Sequence, residues 1–179
     1  NAILKTMNRK HTHEHYREII DKLRAVRPDI AFSSDFIVGF PGETDQDHAD
    51  SLDLIEYVNY ASCYSFTYSP RPGTPGAVMQ GQIHPAIAKK RLVEMQELLN
   101  KQQVNYNKSF IGQTVPILFD RMGKKEGQLM GRSPYMHSVF ATAHPRLMGQ
   151  TVDVCITDAH PNGLSGDVVI ITKTGANIG

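Results

Sequence analysis

The segment DFIVGFPGET (residues 35–44) runs an apolar stretch into Gly39-Phe-Pro-Gly42, followed by an acid, Glu43, and a helix-capping residue, Thr44. Glycine lets a main chain come close to a flat or charged ligand, and amides at a following helix start can meet a carboxylate or phosphate. Glu43 either fixes this loop or serves the first turn of the next helix. A P-loop would place Lys and then Ser or Thr after the second glycine; Glu43-Thr44 stands there instead, which excludes that nucleotide cradle. The same residues also read as a tight strand-to-helix connection with no ligand. A second stretch, SPRPGTPG (residues 69–76), has so many prolines and glycines that it must be a loop with little backbone freedom. Cys63 and Cys155 lie far apart, without the spacing of a disulfide framework or a zinc site, and read as buried free thiols.

The elements that would position these residues follow from hydrophobic period. From Thr12 onward, Tyr16, Ile19, Ile20, Leu23 and Val26 recur at helical steps, and Arg27-Pro28 ends the run. Residues 30–40 read as a buried strand, Thr44 with Asp47 as a capping pair, and Leu52, Ile55 and Val58 as the stripe of a second helix. Residues 60–68 read as another strand. Pro85 opens a long amphipathic helix whose stripe is Ala88, Leu92, Met95, Leu99 and Tyr106. This alternation is the grammar of β/α units and predicts a parallel sheet or barrel over residues 1–108. The grammar then changes. IGQTVPILF (111–119) and MGQTVDVCI (148–156) are near-copies, each a Gly-Gln-Thr followed by alternation of period two. With strand-like stretches at 128–133, 138–143 and 167–172, they predict a small antiparallel barrel over 109–174, followed by a tail at 175–179.

The chain has 179 residues, 40% hydrophobic and 21% charged, which suits one or two ordinary domains with real cores. Nineteen Lys and Arg against eighteen Asp and Glu leave a net charge of +1, so global charge gives no argument for a nucleic-acid or membrane partner. No apolar run approaches the roughly 20 residues that span a bilayer, and no signal segment opens the chain; the expectation is a cytosolic or organellar protein. Residues 1–7 read as the inside of a helix without a cap, so a fragment of a longer protein is expected.

Four ordered motifs carry a family resemblance: LKTMNRKHT (4–12), DFIVGFPGET (35–44), YSPRPGTP (68–75) and GQLMGRSP (127–134). Together they resemble the radical S-adenosylmethionine methylthiotransferases, in particular the MiaB-like enzymes that act on tRNA. The resemblance implies that residues 1–108 are the last part of a partial (β/α) TIM barrel that binds S-adenosylmethionine, and that 109–174 form a TRAM domain, a small RNA-binding β-barrel. On that view Ile37 and Val38 flank the adenine, Gly39 and Gly42 let the main chain come close, and Phe40 and Pro41 complete the wall. Arg9 would pair with the cofactor carboxylate. Main-chain groups at Ser69 would face the adenine, and Arg71 would project toward substrate or cofactor. Lys124, Lys125, Arg132 and Arg146 would be phosphate partners, with Arg132 first among them, and Ser133 and Tyr135 would join them as RNA-binding residues. Tyr135, His137 and Phe140 would stack on bases or fill the barrel.

In the family, two 4Fe-4S clusters are held by a Cys-x-x-x-Cys-x-x-Cys motif and three earlier cysteines. Neither set is present, and Cys63 and Cys155 match no ligand position. No catalytic and no metal-ligating residue is therefore expected here, and the chain alone should be inactive. The complete enzyme would cleave S-adenosylmethionine to a 5′-deoxyadenosyl radical and add a methylthio group at C2 of an isopentenyl-modified adenosine in the tRNA anticodon stem-loop. It would need an electron donor and work as a cytoplasmic monomer, away from membranes. Rival readings are methylthiotransferases of threonylcarbamoyl-adenosine or of a ribosomal-protein aspartate, and a non-catalytic RNA-binding remnant; GQLMGRSPY (127–135) favours the isopentenyl branch. A half-barrel would also leave an open sheet edge and an uncovered apolar face, and hence poor solubility.

Overall fold

The computed structural model describes residues 1–169. It divides into two compact units, Asn1–Gln103 and Val104–Gly179. The first holds α1 (Ala2–Thr6), α2 (His13–Val26), β1 (Ser33–Val38), α3 (Asp45–Val58), β2 (Ser62–Thr67), α4 (Pro75–Val78) and most of α5 (Pro85–Lys108). The division falls inside α5 because Tyr106, in its last turns, packs on the core of the second unit.

Local chemistry sets the element ends. The Thr12 hydroxyl accepts the His15 amide at 3.2 Å and starts α2, and the helix stops at Arg27, before Pro28. Thr44 and Asp47 form a complete capping box on α3, which ends on Asn59 in the left-handed region. β1 is shorter than the expected 30–40 run: Gly39, at φ +76°, turns the chain out of the sheet, and the parallel ladder extends only from Ser33↔Ser62 to Val38↔Thr67. The loop expected at 69–76 ends two residues early, because Pro75 opens the one-turn helix α4.

β1, α3 and β2 make a parallel β/α unit. Phe36 and Cys63 face the helices and pack against a core of Ile20, Val38, Ile55, Val58, Tyr60, Met95 and Leu99. The opposite face carries Ile37, Tyr64 and Phe66, with Tyr64 71% and Phe66 52% exposed. Parallel sheets are normally covered on both faces; here, among the described residues, one face and both outer edges of the two-stranded sheet are open.

In the second unit, β3 (Thr114–Met122), β4 (Gln128–Arg132), β5 (Ser138–Thr142), β6 (Thr151–His160) and β7 (Gly163–Val168) close in the order β3-β4-β5-β7-β6. Strict alternation fills the interior with Val115, Ile117, Phe119, Leu129, Val139, Ala141, Val154, Ile156 and Leu164. The fold explains the near-copies. β3 and β6 are antiparallel neighbours, and each Gly-Gln-Thr enters its strand the same way. Gly112 N–H donates to Ile156 O at 2.8 Å, and its counterpart Gly149 N–H donates to Phe119 O at 2.7 Å. Gln113 Nε2 donates to Ser109 O, and Gln150 Nε2 to Arg146 O, four residues back in each case. Both glycines have positive φ. The repeat is thus a local pseudo-two-fold pair. The last strand runs earlier than the expected 167–172, because Gly163, Ser165 and Gly166 hide its period; at Gly166 a side chain would collide with Cys155 O. The end of that expected strand, residues 170–172, and the expected tail at 175–179 lie outside the described residues.

Candidate functional site

The turn at residues 39–43 is locked from within. The Gly39 amide donates to Glu43 Oε2 at 2.9 Å, Glu43 N–H closes the turn on Phe40 O at 3.0 Å, and the Gly42 amide donates to Gly81 O at 2.9 Å. Glu43 is itself held by Arg91 of α5, whose Nη1 lies 2.7 Å from Oε1, while Arg91 Nη2 reaches Asp45 Oδ1 at 2.7 Å. Both side chains of the Arg91–Glu43 pair are more than nine-tenths buried. Burial opposes the Arg91 charge, but hydrogen bonds to Asp45 and Glu43 outweigh it and hold the guanidinium above its ordinary value. A Cβ on Gly39 would stand 2.7 Å from Ala88 Cβ, so this glycine admits α5. The Gly39, Gly42 and Glu43 amides are thus taken up inside the protein, and at the following helix start the Thr44 and Asp47 amides are bonded within the capping box. Glu43 therefore fixes the loop.

Val38, Gly39, Phe40 and Pro41 are buried; Phe40 packs edge-on against Tyr68 with ring centres 5.0 Å apart. Ile37 is open, and with Arg9, Glu43, Asp35, Tyr16 and His13 it lines a cleft of about 460 Å³ beside β1. Arg9 has no ion-pair or hydrogen-bond partner for its side chain among the described residues, so its guanidinium fits a carboxylate. The His13 Nε2 atom is buried without a partner. Ser69 and Arg71 are exposed in the loop after β2, at the same carboxyl end of the sheet as the turn, but they do not line the cleft. Thr74 ties that loop through its amide and hydroxyl to Arg71 O, at 3.1 and 2.7 Å. The arrangement offers an apolar wall at Ile37 and an uncommitted cation at Arg9. Cys63 and Cys155 are isolated, and no group of three or more His, Cys, Asp or Glu among the described residues could hold a metal, so a cluster does not fit these residues.

Arg91 was not among the expected site residues. Its signal was present: it lies three residues after Ala88 and four before Met95, on the buried stripe of α5, where an arginine must have an anionic partner.

In the second unit the expected RNA-binding residues fall into two groups. Lys124 and Lys125 are exposed in the β3–β4 turn, and Arg146 is exposed after β5; Ala143 N–H to Gly127 O, at 3.0 Å, brings these loops to one end of the barrel. Arg132, Ser133 and Tyr135 lie at the far end of β4, about 13 Å away at ~3.3 Å per residue. Arg132 Nη1 donates to Met136 O at 3.1 Å and to Ser138 Oγ at 3.0 Å. Ser133 is buried, and its Oγ accepts the amides of Tyr135 and His137. Tyr135 packs against Phe110, and His137 stacks on Tyr106 at 5.2 Å. Burial pushes the His137 imidazole below its ordinary value. Tyr135 and His137 thus fill the barrel end. Phe140, outside the core between buried Val139 and Ala141, points outward.

Residues 1–55 match the Radical SAM superfamily and residues 108–169 the TRAM domain. The chain is 52% identical over 169 residues to a tRNA-2-methylthio-N(6)-dimethylallyladenosine synthase of Rickettsia canadensis, covering 94% of this chain and 38% of the relative. Proteins of the same name from Rickettsia prowazekii and Maricaulis maris are 53% and 54% identical over 170 and 174 residues, covering 94% and 97% of this chain and 38% of each relative. The chain thus spans less than half the length of the curated relatives it matches. No helix among the described residues is long and apolar enough to cross a membrane.

Proposed function

Because the chain joins a segment of the Radical SAM superfamily to a TRAM domain, we propose that it is the carboxyl-terminal part of a tRNA methylthiotransferase, one that adds a methylthio group at C2 of an isopentenyl-modified adenosine beside the anticodon. The observation that carries this reading is similarity over 94–97% of this chain to proteins named for that activity. S-adenosylmethionine and the iron–sulfur clusters supply the radical and sulfur chemistry when bound; cluster ligands must come from the rest of the complete protein, since the cysteines here do not fit them.

This chain's own residues bind and orient. Arg9 pairs with the carboxylate of S-adenosylmethionine, and Ile37 offers the adenine an apolar surface. Val38, Gly39, Phe40, Pro41 and Gly42 keep that wall in shape from behind, and Ser69 and Arg71 border it at the end of β2. In the barrel, Lys124, Lys125 and Arg146 meet tRNA phosphates. Arg132, Ser133 and Tyr135 shape the opposite end, where the Arg132 charge remains available to the anticodon stem-loop. The complete protein works in the cytoplasm as a monomer with an electron donor.

The test is to read the coding region upstream of Asn1. A Cys-x-x-x-Cys-x-x-Cys motif preceded by three further cysteines is the expected result; an upstream region without them overturns the enzyme reading and leaves an RNA-binding remnant.

A further inference from the structure

The open face of the two-stranded sheet in the first unit is built in layers. Side chains alternate across a sheet, so Asp35 and Ile37 of β1 and Tyr64 and Phe66 of β2 point away from the helices. The parallel register sets Asp35 directly beside Tyr64 and Ile37 directly beside Phe66, on strands about 4.8 Å apart. The two pairs are separated by roughly 6.6 Å along the strands. Ile37 and Phe66 form the layer nearer the carboxyl ends, where a barrel of β/α units keeps its site, and the face away from the helices is the barrel interior. Ile37, Tyr64 and Phe66 are all exposed there.

Charge and position both restrict what this interior takes. The strands, SSDFIV and SCYSFT, carry one charged residue, Asp35, and it forms no ion pair among the described residues. A carboxylate without a cation is not packed into an apolar core, so the layer of Asp35 and Tyr64 borders a space that solvent or a polar ligand reaches. Asp35 and Ile37 indeed both line the cleft of about 460 Å³. The reaction proposed above joins a carbon of the substrate base to chemistry at the cofactor, which requires reacting atoms within about 3–3.5 Å of one another. The substrate base must therefore rest on a surface continuous with Ile37, and Phe66 is the neighbour of Ile37 in register. An uncharged aromatic surface suits a branched hydrocarbon chain. Threonylcarbamoyl-adenosine and a protein aspartate, the rival substrates, each carry a carboxylate, which Asp35 would repel and the apolar side chains would desolvate. The cations of this end stand elsewhere: Arg9 is assigned above to the cofactor carboxylate, and Arg71 lies in the loop beyond β2.

We propose that Phe66, with Tyr64 one layer deeper, receives the isopentenyl group of the substrate adenosine, and that Asp35 turns away analogues that carry a carboxylate. This rests on the function proposed above and names the residues that select its substrate. The test uses the complete protein, with the segment upstream of Asn1 and its clusters, and no reductant, so that binding alone is read. Fluorescein-labelled anticodon hairpins, identical except for adenosine, isopentenyladenosine or threonylcarbamoyl-adenosine beside the anticodon, are titrated by anisotropy. The parent should prefer the isopentenyl hairpin to the unmodified one by about tenfold, the worth of a small apolar group in a fitting pocket. Phe66→Ala should lower that preference about fivefold, and Phe66→Leu, which stays apolar and fills most of the space, should keep it within about twofold. Asp35→Asn should leave that preference in place and bind the threonylcarbamoyl hairpin about fivefold more tightly than the parent does. The preference is a ratio of two affinities on one preparation, so a misfolded fraction cancels. If Phe66→Ala keeps the parent's preference, or weakens all three hairpins alike, Phe66 only packs the barrel and the inference is wrong while the proposed function stands. A parent that binds the isopentenyl and unmodified hairpins equally also overturns the inference, and an unchanged threonylcarbamoyl affinity in Asp35→Asn overturns the part given to Asp35. A parent that favours the threonylcarbamoyl hairpin overturns the proposed function itself.

Discussion

At the scale of single residues, the Arg91–Glu43 pair is the most consequential interaction in the first unit. Two charges more than nine-tenths buried are tolerable only together, because each would otherwise be left desolvated without a partner. Arg91→Ala should therefore destabilise the chain by about 3 kcal/mol in urea unfolding, and Arg91→Lys by less, since one of the fork's bonds can be remade. An Arg91→Ala effect under about 1 kcal/mol would mean that the pair does not hold the turn. In the second unit, His137 gives a pH signature. Its folded pKa lies below its ordinary value of 6.5, so the unfolded chain takes up the proton first as pH falls. The stability this neutral imidazole contributes is complete above about pH 6.5 and falls away on acidification. Melting curves at about pH 7 and about pH 5, on either side of that value, should show a larger drop for the parent than for His137→Gln, and equal drops would contradict it. Both residues were partly legible: Arg91 sat on an apolar stripe where an arginine is conspicuous, whereas the burial of His137 depended on Tyr106 and Phe110, which no local pattern ties to it.

At the scale of elements, the turn between β1 and α3 is a joint between a strand and a distant helix. Gly39 has positive φ and also touches Ala88, so its replacement carries two separate costs. Gly39→Ala should cost about 2–4 kcal/mol, and adding Ala88→Gly should recover the steric part but not the backbone part. Full recovery, or none, in a double-mutant cycle would refute this division. The turn, its capping box and the long helix were readable because they depend on neighbours in sequence. What the turn's amides bond to was not, since Gly81 and Arg91 lie far along the chain. The Gly-Gln-Thr repeat announced two equivalent strand entries, yet only the register revealed that they pair with each other. β7 escaped because its glycines and serine answer a neighbouring strand and not its own period.

At the scale of the molecule, two features were decided by arrangement. Composition gave a charge of +1 and no case for RNA, while the fold sets Lys124, Lys125 and Glu126 in one turn of the barrel and Asp153, Asp158 and Asp167 on β6 and β7. The first unit leaves Tyr64 and Phe66 exposed on a parallel sheet, as a piece of a barrel should. Exposed aromatics on a parallel sheet suit the proposal of a chain that is part of a longer enzyme. The most direct measurement of that account is mass analysis of tRNA nucleosides from the source strain with this gene deleted, and again with the complete gene restored. The account predicts that isopentenyladenosine loses its 2-methylthio group on deletion and regains it on restoration. A methylthio group that persists after deletion, or a loss confined to threonylcarbamoyl-adenosine, would contradict it.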